Sequence, residues 1–254
     1  MRVPFQINSL NKALLGIFHI PDKQSEKIKV IIMCYGLNGN RVEQHRMSVK
    51  FAEACEENHI SLVRFDYTDV GISEGDFSDS LISNRVKNVE DVVNYVRGCF
   101  NKCIEIYLVG FSDGAKVAVN SLTQIGECQG IILWNPIMNI DAKPMLNKGK
   151  ADNHLKLDKV TKKPYKPLFG LKLNLQMIRE LMNDQTKELL KNSYRKLFIF
   201  GEKDAYTAEI NKYFRSNKDL YPNSEFVEIK NSGHLFSDKK HEEEVIRKTI
   251  EFVK

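Results

Sequence analysis

The stretch Gly110-Phe111-Ser112-Asp113-Gly114 decides the fold of this chain. It follows the apolar run 104–109, which predicts a buried strand, and precedes residues 115–122, which predict a helix. A tight turn between strand and helix brings the two backbones almost into contact, so it needs small residues on either side of the serine. Such a turn lifts Ser112 Oγ above the sheet, and the following helix directs its free N–H groups to the same point. An ordinary β-to-α turn also fits five residues alone, so the interpretation depends on the rest of the chain.

Apolar runs alternate with helical patterns along most of the chain. Predicted strands cover residues 14–20, 30–34, 60–65, 104–109, 131–134, 197–200 and 226–229. Predicted helices cover residues 43–58, 86–96, 115–122 and 245–252. Continuous apolar runs are typical of buried parallel strands. The alternation therefore predicts an α/β fold with a mostly parallel eight-stranded sheet and helices on both of its faces.

One segment interrupts this alternation, between Pro136 and Lys196. Residues 155–157 and 171–175 alternate like short exposed strands, and residues 175–190 predict one amphipathic helical run. We expect this insertion to form a cap over the carboxyl-terminal edge of the sheet, where ligands bind in open α/β folds. An insertion remote from any site is the alternative. The predicted organisation is a core in two parts, residues 1–136 and 191–254, with a cap at residues 137–190.

Asp204 and His234 each follow a late predicted strand, at 197–200 and 226–229. Because the carboxyl ends of parallel strands meet at one edge of a sheet, these side chains can converge on Ser112. A histidine takes the serine proton during attack and returns it to the leaving group, while a carboxylate fixes the imidazole tautomer. The chain order Ser, Asp, His is one of the known orders of such a triad.

Other residues offer alternatives to this assignment. Asp141, which follows the strand at 131–134, is a second candidate for the acid, and Asp204 also fits a turn aspartate that caps the next helix. The remaining histidines are interpreted as ordinary surface or core residues: His19, His45, His59, His154 and His241.

The loop Tyr35-Gly36-Leu37-Asn38-Gly39-Asn40 follows the buried strand at 30–34. Backbone N–H groups of such a loop can face the negatively charged oxygen of a tetrahedral intermediate. The predicted donors of this oxyanion hole are the N–H groups of Leu37 and Asp113. A β-turn rich in Gly and Asn, without further role, is the alternative interpretation.

These motifs resemble the α/β-hydrolase superfamily, and within it the small serine esterases typified by bacterial cinnamoyl (feruloyl) esterases and the related serine aminopeptidase-like hydrolases. Members typically carry His-Gly-Phe-x-Gly-Asn at the oxyanion loop, where this chain has residues 35–40. They also carry Arg-Phe-Asp at a strand end and then Gly-x-Ser-x-Gly, seen here at 64–66 and 71–75. The resemblance implies an α/β-hydrolase fold with a cap after the sixth strand. It also implies hydrolysis of a carboxylic ester through an acyl-enzyme, with no metal or cofactor.

Two positions depart from the pattern of these esterases. Tyr35 replaces the usual histidine, and Asp113 replaces the usual Gln, His or Met after the serine. A carboxylate turned inward at Asp113 would oppose the charge that forms nearby, so we expect it to point away or to pair with Lys116 or a cap lysine. The residues expected to line a substrate pocket are Tyr35, Asn38, Phe169 and Met177. Apolar residues of the cap alternatively form its own core.

Composition limits the partners and the compartment of the protein. A net charge of +5 over 254 residues is mild, and no dense basic stripe with aromatics indicates nucleic-acid binding. No apolar stretch is long enough to span a membrane, and the first residues do not fit a signal peptide. The five cysteines match no zinc pattern and are expected to be free thiols. We therefore expect a cytoplasmic protein, as a monomer or homodimer.

Between residues 143 and 172 of the insertion, lysines outnumber the acids Asp152 and Asp158: Lys143, Lys148, Lys150, Lys156, Lys159, Lys162, Lys163, Lys166 and Lys172. A solvated face explains them equally well. Alternatively, they attract an anionic substrate or an acidic acyl carrier protein. This second reading favours a thioesterase or acyltransferase acting on carrier-protein-linked or CoA-linked acyl groups. A catalytically silent binding protein with the same fold is the third hypothesis.

Overall fold

An eight-stranded sheet forms the centre of the protein. The computed structural model describes residues 1–23, 26–138, 155–183 and 185–254. In chain order the strands are β1 (Arg2–Ser9), β2 (Lys12–His19), β3 (Ile28–Cys34), β4 (Ser61–Phe65), β5 (Ile104–Phe111), β6 (Gly130–Trp134), β7 (Lys156–Leu157), β8 (Pro164–Leu168), β9 (Leu171–Asn174), β10 (Arg195–Gly201) and β11 (Ser224–Ile229). The helices are α1 (Met47–Glu57), α2 (Ile82–Gly98), α3 (Gly114–Ser121), α4 (Leu175–Met182), α5 (Thr186–Leu189), α6 (Ala208–Ser216) and α7 (Lys239–Val253). Short 3₁₀ turns lie at Gln44–Arg46, Phe77–Asp79 and Lys218–Leu220.

The strand order of the main sheet is β1-β2-β4-β3-β5-β6-β10-β11. The six strands from β4 to β11 in this order are parallel, whereas β1 and β2 form an antiparallel hairpin and β2 runs antiparallel to β4. This confirms the predicted α/β fold with a mostly parallel eight-stranded sheet. The carboxyl ends of β3, β5, β10 and β11 therefore lie at the same edge.

Helices cover both faces of the sheet and enclose two hydrophobic cores. On one face α2, α3 and α6 pack against the strands, and the α2 valines at positions 89, 92, 93 and 96 are fully buried. This three- and four-residue spacing is the apolar stripe that the sequence predicts. On the other face α1 and α7 meet the sheet around Trp134, whose ring lies 5.0 Å from that of Phe51 and whose Nε1 donates to Thr249 Oγ1.

Several elements differ from the sequence-based expectation, among them strand β8, for which no strand is predicted. Strand β1 was not predicted, because its inward-facing positions are few and its pairing with β2 is what fixes it as a strand. Helix α6 was not predicted either. The expected helical run at 175–190 is wrong as one helix: α4 ends at Met182, where Asn183 leaves helical backbone angles, and α5 begins at Thr186. Asn favours caps and turns over helix interiors, which accounts for the break.

The described part of the insertion is anchored to the core. Strands β7, β8 and β9 form a small antiparallel sheet that leads into α4. Asn174 caps α4 by accepting from Met177 N–H at 2.7 Å, and its Nδ2 donates to Ser78 O and Ser80 O. The cap boundaries remain a prediction, since residues 139–154 and 184 lie outside the described residues. Asp141, the alternative acid, is also outside them.

The structure gives the state of the five thiols and the character of the helices. Cys34, Cys55 and Cys128 are buried, Cys99 and Cys103 are exposed, and all five are free. Among the described residues, no helix combines the length and apolarity needed to cross a membrane.

Candidate active site

Ser112 sits in a tight turn between β5 and α3, with a backbone φ of 56°. A Cβ at Gly110 would lie 2.6 Å from Ala115 Cα, and one at Gly114 would lie 2.6 Å from Tyr35 O. No real side chain tolerates such approaches, so both positions need glycine. Positive φ is uncommon for a residue with a side chain and concentrates at functional sites. The turn therefore has the strained geometry that the sequence predicts.

The structure brings the three predicted side chains together from three loops. Ser112 Oγ lies 2.9 Å from His234 Nε2, and His234 Nδ1 lies 2.7 Å from Asp204 Oδ2. Ser112 is 8% exposed, and the Asp204 side chain is fully buried. Each distance is that of a hydrogen bond. The arrangement can move a proton from the hydroxyl to the imidazole while the carboxylate holds the other ring nitrogen.

Asp204 is held by three donors. Besides His234, the Thr207 hydroxyl donates to Oδ2 at 2.6 Å and the Tyr206 N–H donates to Oδ1 at 2.9 Å. Burial raises the pKa of Asp204, but the hydrogen bonds from His234 and Thr207 outweigh burial, and the net pKa is lowered. An ionised carboxylate keeps the proton of the imidazole on Nδ1, which leaves Nε2 as the acceptor for Ser112.

Asn135 links the loops of the acid and of the histidine, and sequence reasoning missed it. This buried residue follows β6, with a φ of 40°. Its Nδ2 donates to His234 O at 2.8 Å, and its Oδ1 accepts from Gly201 N–H at 2.7 Å. The available signal was its place at a strand end on the same edge as Ser112.

The loop at residues 35–40 lies directly against the serine. A Cβ at Gly36 would be 3.2 Å from Ser112 Cβ and 3.5 Å from Ser112 Oγ. Leu37 and Asp113, the predicted oxyanion donors, are both buried. Tyr35, in the place of the usual histidine, is fully buried and its hydroxyl accepts from Tyr67 N–H at 2.7 Å. The tyrosine therefore braces this loop from below.

The four residues expected to line a pocket do not share one environment. Asn38 and Phe169 are exposed, Phe169 to 76%, whereas Tyr35 and Met177 are completely buried. Met177 and Leu173 both belong to the large core cluster on the face of the sheet that α2 and α3 cover, so the structure places Met177 in the main hydrophobic core. The structure corrects the expectation that Tyr35 and Met177 line a substrate pocket, because neither side chain is accessible to solvent.

The carboxyl of Glu43 is buried behind this loop. Its Oε1 packs against Gly39 and has no hydrogen-bond partner among the described residues. Burial raises the pKa of Glu43 from 4.5 to about 8, although a backbone hydrogen bond from Gln44 opposes the shift. The folded protein thus holds this proton more tightly than the unfolded chain. The stability contribution is fully present below about pH 4.5 and is lost as the pH rises through about 8.

Glu43→Gln is expected to remove this pH dependence. The stability advantage of the variant over the wild type should grow as the pH rises from 5 to 8, by at most about 1.4 kcal/mol per pH unit. Urea unfolding at several pH values measures it, with the exposed Glu57→Gln as the matched control. Parallel stability curves for wild type and Glu43→Gln across this range would contradict the prediction.

Comparison with known proteins places this geometry in a known fold. Neither a protein-family model nor a curated protein sequence matches the chain. Among solved structures, it is similar to Est1E from Butyrivibrio proteoclasticus with ferulic acid bound, at 21% identity and a TM-score of 0.78, over 98% of this chain and 97% of that one. It is also similar to the α/β-hydrolase GrgF from Penicillium sp. sh18, at 14% identity and a TM-score of 0.73, over 100% and 98%. The Pyrococcus furiosus esterase Pf2001 matches at 18% identity and a TM-score of 0.71, over 100% and 90%. These similarities and the order of the strands show that the chain has the α/β-hydrolase fold.

Proposed function

We propose that the protein is a serine hydrolase that cleaves a carboxylic ester through an acyl-enzyme. The observation that carries the proposal is the pair of hydrogen bonds joining Ser112 to His234 and His234 to Asp204, at 2.9 and 2.7 Å. A serine hydroxyl is a weak nucleophile at neutral pH unless a base accepts its proton. His234, held in place by the carboxylate of Asp204, supplies that base to the strained serine.

The proposed reaction uses both ring nitrogens of His234, with Nε2 facing Ser112 and Nδ1 facing Asp204. Ser112 Oγ attacks the ester carbonyl as its proton moves to His234 Nε2, and a tetrahedral oxyanion forms beside the N–H groups of Leu37 and Asp113. Collapse breaks the bond to the alcohol oxygen, which takes the proton from His234. Water then attacks the acyl-enzyme in the same way, with His234 as base, and releases the acid and the free serine.

The structural neighbours support ester hydrolysis over other acyl transfers. Est1E was solved with ferulic acid bound, and the Pyrococcus furiosus protein is named an esterase. The reaction needs no metal or cofactor, since the oxyanion donors are backbone groups.

A thioesterase or acyltransferase is the second candidate, favoured by the charge of the insertion. Within its described part, five lysines are exposed: Lys156, Lys159, Lys162, Lys163 and Lys172. Lys163 lies 3.4 Å from Asp79 and Lys172 pairs with Asp158, so the acids offset only part of the positive charge. Such a surface attracts CoA or an acidic acyl carrier protein.

Labelling with a fluorophosphonate tests the proposal. The reagent phosphonylates a serine only where a base activates it, so we expect one label per chain, on Ser112 by peptide mass spectrometry. The protein should also hydrolyse p-nitrophenyl acyl esters. An unlabelled, folded protein without hydrolysis would leave the fold as a silent binding protein.

The same preparation separates the two enzymatic candidates. On the esterase proposal, kcat/KM for an acyl ester exceeds that for the matching acyl-CoA thioester. Higher kcat/KM for the thioester would support the second candidate, provided that it falls as salt rises from 50 to 500 mM. Salt screens attraction between exposed charges but leaves a neutral ester unaffected.

A further inference from the structure

Arg85 places a fully buried cation beside the proposed oxyanion hole. The residue lies in the first turn of α2 and is 1% exposed. Its guanidinium donates to Leu37 O at 3.0 Å, to Gly36 O at 3.4 Å and to Ser80 Oγ at 3.2 Å. The Arg85 Cζ also lies 5.0 Å from the centre of the Tyr67 ring. Burying a charge costs free energy unless the charge is well hydrogen-bonded, so the burial of an arginine at position 85 needs a structural or functional reason.

The contact with Gly36 O bears on the N–H group of Leu37, because both belong to one peptide group. A trans peptide is planar, so its carbonyl and its N–H point in opposite directions. A donor fixed on the carbonyl therefore fixes the direction of the N–H. Gly39 N–H also donates to Gly36 O, at 3.2 Å within the turn, so Arg85 shares this task with the loop. Since Gly36 contacts Ser112, the direction of this peptide matters at the reacting oxygen.

The charge of Arg85 acts on the second donor residue as well. Burial lowers the pKa of Arg85, and Asp113, which is buried and follows the serine, is one of the nearby groups whose charge opposes this shift. A carboxylate here would repel an oxyanion forming nearby, and a neighbouring guanidinium offsets that repulsion. A cation at the carbonyl end of the Gly36–Leu37 peptide also strengthens its N–H as a donor. The sequence-based expectation that Asp113 points away or pairs with Lys116 or a cap lysine stays a prediction: Lys116 Nζ donates to Leu181 O at 2.9 Å, and the cap lysines at 143, 148 and 150 lie outside the described residues.

We propose that Arg85 is a positioning residue of the oxyanion hole, which holds the Gly36–Leu37 peptide and balances the charge of Asp113. This inference rests on the proposed hydrolase function. Because the oxyanion exists only in the transition state and the tetrahedral intermediate, Arg85 acts on kcat and leaves the binding of the ester nearly unchanged.

Arg85→Met and Arg85→Lys test the proposal with a p-nitrophenyl acyl ester. The Met variant keeps the length of the side chain and removes the donors. We expect its kcat to fall about 10- to 100-fold, with KM within about threefold of the wild type. The Lys variant keeps the charge and should recover part of this loss. Affinity for phenylboronic acid, which forms a tetrahedral adduct on the serine oxygen, should fall by the same factor as kcat/KM.

Lys196→Met is the matched control. This buried lysine donates to three backbone carbonyls, of Asn192, Tyr194 and Pro222, at the amino end of β10 and away from the serine. Its loss should lower the melting temperature and leave kcat within about twofold of the wild type.

Three results would overturn the proposal. They are a folded Arg85→Met variant with unchanged kcat, a loss confined to KM, and an equal loss of kcat in Lys196→Met. If Arg85→Met does not fold, unchanged kcat and boronic acid affinity in Arg85→Lys would have the same meaning. A wild-type protein that neither hydrolyses esters nor reacts with a fluorophosphonate contradicts the proposed function instead, which is a separate outcome.

Discussion

Ser112→Ala is expected to lower kcat by roughly 10⁴- to 10⁶-fold, the loss that removal of the nucleophile causes in serine hydrolases. Alanine cannot form the acyl-enzyme, so only the residual stabilisation by the oxyanion donors remains. The fold should survive, because Ser112 is in a turn whose shape depends on Gly110 and Gly114. Alanine meets the same positive φ as serine does, and its smaller side chain fills no new space.

Ser121→Ala is the matched control for this variant. Ser121 is buried at the end of α3, the helix that follows Ser112, and its Oγ donates to Val117 O at 2.8 Å, within one turn of that helix. Loss of this hydrogen bond should cost about 1 kcal/mol of stability and leave turnover unchanged. Circular dichroism and thermal unfolding measure the fold of both variants, and a p-nitrophenyl ester measures turnover. Hydrolysis by Ser112→Ala above about 1% of the wild-type rate would refute the assignment of the nucleophile.

Local patterns in the sequence predict most of the parallel sheet and the place of the three reacting groups. Strands β3, β5 and β10 are short continuous apolar runs, and Ser112, Asp204 and His234 follow strands that share one edge. Parallel strands put their carboxyl ends together, so the meeting of the three loops follows from the order of the elements alone. The distances of 2.9 Å from Ser112 to His234 and 2.7 Å from His234 to Asp204 then show that the loops bring these side chains within hydrogen-bond reach.

Local sequence patterns do not reveal residues whose hydrogen-bond partners lie far away along the chain. Asn135 joins Gly201 to His234, and Arg85 donates to Gly36 and Leu37, which precede it by 49 and 48 positions. No local pattern distinguishes a helix arginine that turns inward from one that faces water. Strand β1 escaped for the same reason, since its pairing with β2 defines it more than its own apolar residues do. The pocket predictions for Tyr35 and Met177 missed the burial of these residues in the main core, because tertiary packing rather than composition decides burial.

Asp204→Asn is expected to lower kcat by about 10⁴-fold near neutral pH, with little change in the position of the loops. The carboxylate of Asp204 accepts from His234 and from the Thr207 hydroxyl, and both can still contact an asparagine. An asparagine amide that donates to Nδ1 forces the imidazole proton onto Nε2. That nitrogen then cannot accept the proton of Ser112, so the serine loses its base although the side chains stay in place.

Asp141→Asn is the comparison that decides between the two candidate acids, since Asp141 follows the neighbouring strand β6 and was the alternative in the sequence. We expect it to keep turnover within a few-fold of the wild type, because a hydrogen bond of 2.7 Å joins Asp204 to His234 Nδ1. Steady-state hydrolysis of one ester by both variants, with fluorophosphonate labelling rates beside it, gives the answer. The reverse result, with Asp141→Asn inactive and Asp204→Asn active, would mean that the buried carboxylate beside the imidazole serves the structure of the loop and that a different acid orients the base.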